Sequence, residues 1–363
     1  MSAAPREQRH KLKTTEICTF VSGGGAPPVI FLHGITGSAG VWEPIAARVA
    51  ERYTAVAVDQ RGHGRSGRPA GEVYNAEDYA GDVAGLIDAL GLGPAVLVGH
   101  SLGARNAMVA GALYPDRVRG VFAIDLTPFI PTSEWEALEQ RVGGGDRTFG
   151  DEAEVRAYLA DRYKLMPPEA IALRARYGYA NVKGRLAPLA DPAAMMATCR
   201  GFRPDFVDAF RRLAVPTVLV RGADSPVVNR ETWAKARALR PDLRAVEVEG
   251  TDHYVSEEKP GLIADMVMEF VAELTATKAA TAKPEDDGIQ WSAPALVRRG
   301  EGGRMVVELP ENVVEACAIH EGDVVNFTAF PSGAIEFWSI KKGTYSSLDD
   351  AAAEGRLAQE AKR

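Results

Sequence analysis

Short apolar runs rich in β-branched residues recur through the first three-quarters of the chain and alternate with longer segments whose apolar positions return every three or four residues. A short uninterrupted apolar run fits a strand buried on both faces, and the longer period fits a helix laid over it. Strands are predicted at residues 29–32, 54–58, 95–98, 118–124, 217–220 and 244–248, with helices between them. Such alternation predicts an α/β fold, a mostly parallel sheet covered on both faces. One interval breaks the rhythm. Residues 127–212 are too many for a single crossover, contain no convincing strand and read as several helices interrupted by Gly143-Gly144-Gly145 and Pro167-Pro168. An insertion of this kind at the strand ends is expected to form a helical cap.

Outside this region the pattern changes. Residues 1–13 are charged and carry no apolar run, so a flexible tail is expected before a first domain spanning 14–274. Residues 275–288 are polar and lack aromatic side chains, which predicts a linker. Within 289–345 strand-like runs return around Val297, Val306, Val325 and Phe337, with a short helical stretch at 311–318, and 346–363 reads as a polar tail.

Composition narrows the class without altering this division. A chain of 363 residues with 46% hydrophobic and 25% charged residues is globular and large enough for two domains. Its net charge of −7 provides no global attraction to nucleic acid or to an anionic membrane. Cys18, Cys199 and Cys317 are dispersed and odd in number, which fits buried packing in a reducing compartment rather than a disulfide framework or metal cluster. No stretch reaches the roughly 18 apolar residues of a membrane span, and a cytoplasmic location is expected.

The chemistry concentrates at Gly99-His100-Ser101-Leu102-Gly103, directly after an apolar run and before a small-residue helical pattern. This is the Gly-x-Ser-x-Gly nucleophile elbow, in which a strand turns sharply into a helix and presents the serine. Three further segments fall in a matching order: His33-Gly34-Ile35-Thr36-Gly37, Asp59-Gln60-Arg61-Gly62-His63-Gly64-Arg65-Ser66, and Gly250-Thr251-Asp252-His253. With these motifs residues 14–274 resemble the α/β-hydrolase family. The resemblance implies Ser101 as nucleophile, His253 as its base, and the backbone N–H groups of Ile35 and Leu102 as oxyanion hole, with His33 and His63 structural. A serine at the elbow argues against the family's dehalogenase and epoxide-hydrolase branches, which carry aspartate there.

The acid has two candidates. The family's usual Gly-x-x-Asp turn reads Gly222-Ala223-Asp224-Ser225 here, with its aspartate one position early. Asp125, which ends an apolar strand, is preferred because an aspartate in a turn is ordinary; Asp224 is the alternative. Arginines are frequent in the cap: Arg141, Arg156, Arg162, Arg174, Arg176, Arg185, Arg200 and Arg203. Guanidinium groups grip carboxylates bidentately, so Arg162, Arg174 and Arg176 are candidates for binding a small anionic substrate. The expected activity is hydrolysis of an ester, lactone or amide, or of an activated carbon–carbon bond, through an acyl-enzyme on Ser101, with no cofactor and no metal.

The C-terminal segment 289–345 resembles the AbrB-type swapped-hairpin domain, in its order of Gly-Arg, strand, Leu-Pro, helix, Gly-Asp, strand. That resemblance implies a homodimer, since four short strands bury too little surface alone. DNA binding is not favoured. Five basic residues stand against seven acidic ones in this segment, although Arg298, Arg299 and Arg304 cluster at one end. A ligand sensor of hydrolase fold coupled to DNA is the alternative to the enzyme.

Overall fold

The computed structural model describes residues 4–71, 73–143, 147–202 and 206–281, and beyond them the backbone of residues 296–299, 305–308, 324–329 and 335–340. The chain divides into two compact units, Met1–Ala282 and Lys283–Arg363.

The first unit is built on an eight-stranded sheet. Its strands are β1 (Arg6–Lys11), β2 (Glu16–Ser22), β3 (Val29–Leu32), β4 (Ala55–Asp59), β5 (Ala95–His100) and β6 (Val118–Ile124), joined after a small separate hairpin, β7 (Tyr179–Val182) and β8 (Arg185–Pro188), by β9 (Thr217–Gly222) and β10 (Arg244–Val248). The spatial order is β1-β2-β4-β3-β5-β6-β9-β10. From β4 to β10 neighbouring strands run parallel, while β1 and β2 are antiparallel additions at one edge. Alternation along β3 divides the core. Val29 and Phe31 face α1 (Glu43–Val49) and the long helix Pro260–Thr281, whereas Ile30 and Leu32 join the cluster under α2 (Ala76–Leu90) and α3 (Leu102–Leu113). Burial on both faces is why these strands read as unbroken apolar runs. Helix α2 is set by a capping box between Asn75 and Asp78 and stopped by Gly91 at φ +62°.

The cap comprises α4 (Thr132–Gly143), α5 (Glu152–Arg162), α6 (Pro168–Gly178), the β7–β8 hairpin, α7 (Pro192–Phe202) and α8 (Val207–Arg212). Beyond it lie α9 (Arg230–Leu239), α10 (Val255–Glu258) and α11 (Pro260–Thr281). The cap carries its own small core, with Val155, Leu159 and Tyr163 of α5 and its end packed on Ile171 and Ala175 of α6.

Three expectations are corrected. The tail assigned to 1–13 contains β1, whose polar sequence Arg-Glu-Gln-Arg-His-Lys hides its strand character. An edge strand needs apolar residues on neither face, because backbone pairing to β2 from Arg6↔Val21 to Lys11↔Glu16 holds it, and charge deters further pairing. The linker expected at 275–288 starts late, since α11 continues through Thr281; its Ala, Thr and Lys residues tolerate a helix and the first breaker is Pro284. The cap holds a hairpin where no strand was expected, turned at Lys183 and Gly184, both with positive φ. Cys18 and Cys199 are buried, as expected. Among the described residues no helix is long and apolar enough to cross a membrane.

In the second unit two antiparallel pairs are described, β11 (Leu296–Arg299) with β12 (Met305–Glu308) and β13 (Val324–Ala329) with β14 (Ile335–Ile340). Cys317, His320, the helix expected at 311–318 and the tail at 346–363 lie outside the described residues.

Candidate active site

Ser101 sits between the last residue of β5 and the first of α3, at φ +52° and ψ −116°. A non-glycine residue at that φ is strained, and its surroundings maintain the strain. A Cβ on Gly99 would lie 2.2 Å from the Gly103 carbonyl oxygen, and one on Gly103 would lie 2.0 Å from that of Leu32. Only glycine permits strand and helix to approach so closely, which explains the spacing of the motif.

The parallel strands end on the same side, and their following loops bring the candidate residues together. His253, in the loop after β10, has Nε2 3.0 Å from Ser101 Oγ and Nδ1 2.7 Å from Asp125 Oδ2. Asp125 directly follows β6 at φ +51° and is fully buried. Its Oδ1 accepts the Gly222 N–H at 2.8 Å, and its Oδ2 also accepts the Ser225 hydroxyl at 2.5 Å. Three donors thus orient one carboxylate. The carboxylate selects the Nδ1–H tautomer of His253 and leaves Nε2 free to accept the serine proton.

Asp224, the alternative acid, is exposed, and its backbone N–H bonds to the Thr251 carbonyl. The structure does not bring it to His253. Ser225 occupies the position where the family pattern places its acid, and it supports Asp125 instead. Sequence reasoning overlooked Ser225, although the displaced motif was a visible signal. It also passed over His100, whose Nε2–H donates to the His253 carbonyl at 2.7 Å and secures the histidine loop. Burial holds His100 neutral, well below the usual histidine range.

Leu102 opens α3, so its N–H has no acceptor within the helix. Ile35 lies in the turn after β3, beside Ser101: a Cβ on neighbouring Gly34 would come within 3.3 Å of the serine Cβ. Ile35, Ser101, His253 and Arg141 line one cavity of about 50 Å³ under the cap. A larger cavity of about 90 Å³ lies farther into the cap and does not include Ser101. Arg141 lines both, so the smaller chamber, which contains Ser101 and His253, adjoins the larger.

The cap arginines separate into classes that helix periodicity could not distinguish. Arg162 and Arg174 line the larger cavity, as do Arg141 and Arg147. Arg174 is already engaged: its Nε and Nη2 donate to the two carboxylate oxygens of Glu257 in α10, at 2.5 and 2.6 Å, and its guanidinium lies against the rings of Tyr163 and Tyr254. Arg176 is exposed, stacks on Tyr177 and lines neither cavity, so its candidacy is withdrawn. The Nε of Arg141 is buried without a hydrogen-bond partner among the described residues. Burial would raise the phenol of Tyr163, but Arg174, Arg162 and Arg141 outweigh it and hold the group below the usual tyrosine range. The cavity therefore favours negative charge.

Comparisons with known proteins place the fold. Residues 27–157 match the α/β-hydrolase fold family. A 2-(acetamidomethylene)succinate hydrolase of Mesorhizobium japonicum is 50% identical over 248 residues, covering 68% of this chain and 89% of the relative. The crystal structure of E-2-(acetamidomethylene)succinate hydrolase superposes with a TM-score of 0.72 at 47% identity, covering 74% of this chain and 99% of that one. An enol-lactonase from Burkholderia xenovorans LB400, at 21% identity and a TM-score of 0.60 over 73% of this chain and all of its own, shares the fold. The chain belongs to the α/β-hydrolase family and is an enzyme of the hydrolase class.

Proposed function

We propose that this enzyme hydrolyses an amide or ester of a small dicarboxylate through an acyl-enzyme on Ser101, with 2-(acetamidomethylene)succinate as the leading substrate. One observation carries the reading: the Ser101–His253–Asp125 hydrogen-bond relay opens into a cavity that shares Arg141 with a guanidinium-lined chamber. His253 Nε2 takes the hydroxyl proton as Ser101 Oγ attacks the acyl carbonyl, and Asp125 stabilises the resulting imidazolium. The N–H groups of Ile35 and Leu102 receive the oxyanion. The imidazolium then protonates the departing nitrogen or oxygen, and water releases the acyl group by the same steps. Arg141 and Arg162 receive the substrate carboxylates, while Arg174 contributes field without direct contact because Glu257 holds it.

The test combines labelling with turnover. A fluorophosphonate should modify Ser101 stoichiometrically, and the full-length protein should release acetate from 2-(acetamidomethylene)succinate. Labelling without acetate release would keep the serine hydrolase and discard the substrate.

For the second unit we propose dimerisation. Two antiparallel pairs of four and six residues support this reading, because such ribbons are marginal alone. Sedimentation of the full chain should show twice the chain mass, and a chain ending after Thr281 should be monomeric. The alternative, in which this unit binds DNA, predicts retardation of duplex DNA that weakens steeply with salt.

A further inference from the structure

Behind the site runs a chain of buried polar side chains that the mechanism above does not use. Arg105 lies on α3, fully buried, with its guanidinium 4.4 Å from the Phe202 ring centre and 5.5 Å from that of Tyr79. Burial pulls its pKa down to about 10, which still leaves it a cation at neutral pH. Its Nε donates to Asn106 Oδ1 at 3.1 Å, Asn106 Nδ2 donates to Gln60 Oε1 at 2.7 Å, and Gln60 Nε2 donates to the His33 carbonyl at 2.7 Å. The Gln60 backbone N–H also donates to His33 Nε2 at 3.1 Å, and His33 Nδ1 donates to the Gly34 carbonyl at 2.8 Å.

The direction of this chain is fixed at both ends. A guanidinium can only donate and a carbonyl can only accept, so neither amide between them can flip. His33 is fixed likewise: a backbone N–H points at Nε2, so the ring proton must be on Nδ1. The Gly34 carbonyl receives that proton and the Gly37 N–H at 3.0 Å. The same peptide unit carries the N–H of Ile35. Two bonds on its carbonyl polarise the unit and prevent it from rotating, which strengthens and aims that N–H. The turn needs such support, because Thr36, next in sequence, is held at φ +63°. The chain starts on α3, whose first residue, Leu102, supplies the other donor, so it links the two halves of the oxyanion hole.

We propose that Arg105, Asn106 and Gln60 are positioning residues of the oxyanion hole, holding the Ile35 N–H at a fixed place relative to α3 through His33 and Gly34. This rests on the serine-hydrolase reading above. A network of purely structural worth would alter stability, whereas an oxyanion brace alters transition-state affinity while leaving ground-state binding in place.

The test uses Gln60→Met and Asn106→Leu, singly and together, in the full-length protein with an activated ester as substrate. Kinetics are compared with inhibition by a trifluoromethyl ketone, whose carbonyl carbon bonds to Ser101 Oγ as its oxygen becomes an oxyanion and the serine proton passes to His253. Removing an oxyanion donor outright costs about 100- to 1000-fold, so loosening one should lower kcat roughly 10- to 50-fold with KM changed less than about twofold. The ketone's inhibition constant should rise by the same factor, and the double variant should be no worse than the worse single one. If either apolar variant fails to fold, Gln60→Glu serves instead: it keeps the acceptor for Asn106, faces the His33 carbonyl with a second oxygen, and should show the same losses. Unchanged kcat and ketone affinity in folded variants would overturn the proposal. Failure of the wild type to react with a fluorophosphonate would overturn the serine-hydrolase reading and the proposal with it.

Discussion

On the floor of the site, His253, Asp125, Ser225 and His100 each meet partners that allow one orientation; in the cap, Arg141, Arg162 and Arg174 share a cavity wall, and among the described residues Arg174 alone of these forms an ion pair. Saturated hydrogen bonding suits groups that must hold sub-ångström geometry through a reaction. Guanidinium groups without carboxylate partners suit a surface awaiting an anion. The two regions touch at Arg174–Glu257, where cap helix α6 is pinned to α10, the short helix that follows the histidine. The comparison supports a proposed division of labour in which the floor would set kcat and the cap cations without carboxylate partners would set KM.

The largest effect should come from the floor. Ser101→Ala is expected to reduce turnover by about 10⁴-fold or more while binding of a dicarboxylate analogue such as succinate is retained. Steady-state kinetics with calorimetric titration of succinate check both halves. Residual activity near the wild-type level would mean that the relay is not the catalyst.

Next in size is the acid. Asp125→Asn should lower kcat by roughly 10³-fold or more, because the amide can offer an N–H to His253 and favour the wrong tautomer. Asp224→Asn, on an exposed residue, should change kcat less than about twofold. The reverse ranking at equal folded concentration would return the acid to the position after β9.

In the cap, Arg141→Gln should raise KM for the dicarboxylate about 10- to 100-fold, the worth of one or two charged hydrogen bonds, with a small change in kcat. Hydrolysis of p-nitrophenyl acetate, which carries no carboxylate, should be nearly unaffected. A kcat loss on both substrates would place Arg141 on the floor and remove the division.

The smallest effect concerns stability. Burial lowers His33 to about 4 from an ordinary 6.5, and His63 and His100 are lowered in the same direction. Unfolded histidines take up protons below about 6.5 that the folded ones refuse until lower pH, so stability is full above that pH and falls as pH drops. His33 alone should account for about 3 kcal/mol between pH 7 and pH 4. Urea melts across that range should show the midpoint falling with pH; a flat profile would mean that these rings charge in place.

Legibility from sequence follows the same line between floor and cap. Ser101, His253 and Asp125 could be read because each ends or follows an apolar strand, and parallel strands deliver their C-terminal ends to one place. The Gln60–Asn106 pair could not, since its members lie 46 residues apart and no local pattern marks the contact, whereas Ser225 left a signal only in the displaced Gly-x-x-Asp motif. The cap arginines were visible as composition alone. Which of them faces the cavity depends on how α4 to α6 turn, and Arg176 shows that two positions along one helix separate an engaged guanidinium from an exposed one. Strand β1 escaped because its stability comes from backbone pairing rather than from an apolar face.

The division of labour is tested most directly by changing charge on the substrate alone. Values of kcat and KM for 2-(acetamidomethylene)succinate should be set against those for its dimethyl ester, with the acetamide under attack identical in both. The account predicts that the dianion has the lower KM by roughly 10- to 100-fold, as expected from losing one or two charged hydrogen bonds, and that Arg141→Gln removes most of this preference. Equal KM values for the two substrates, or tighter binding of the neutral one, would contradict it.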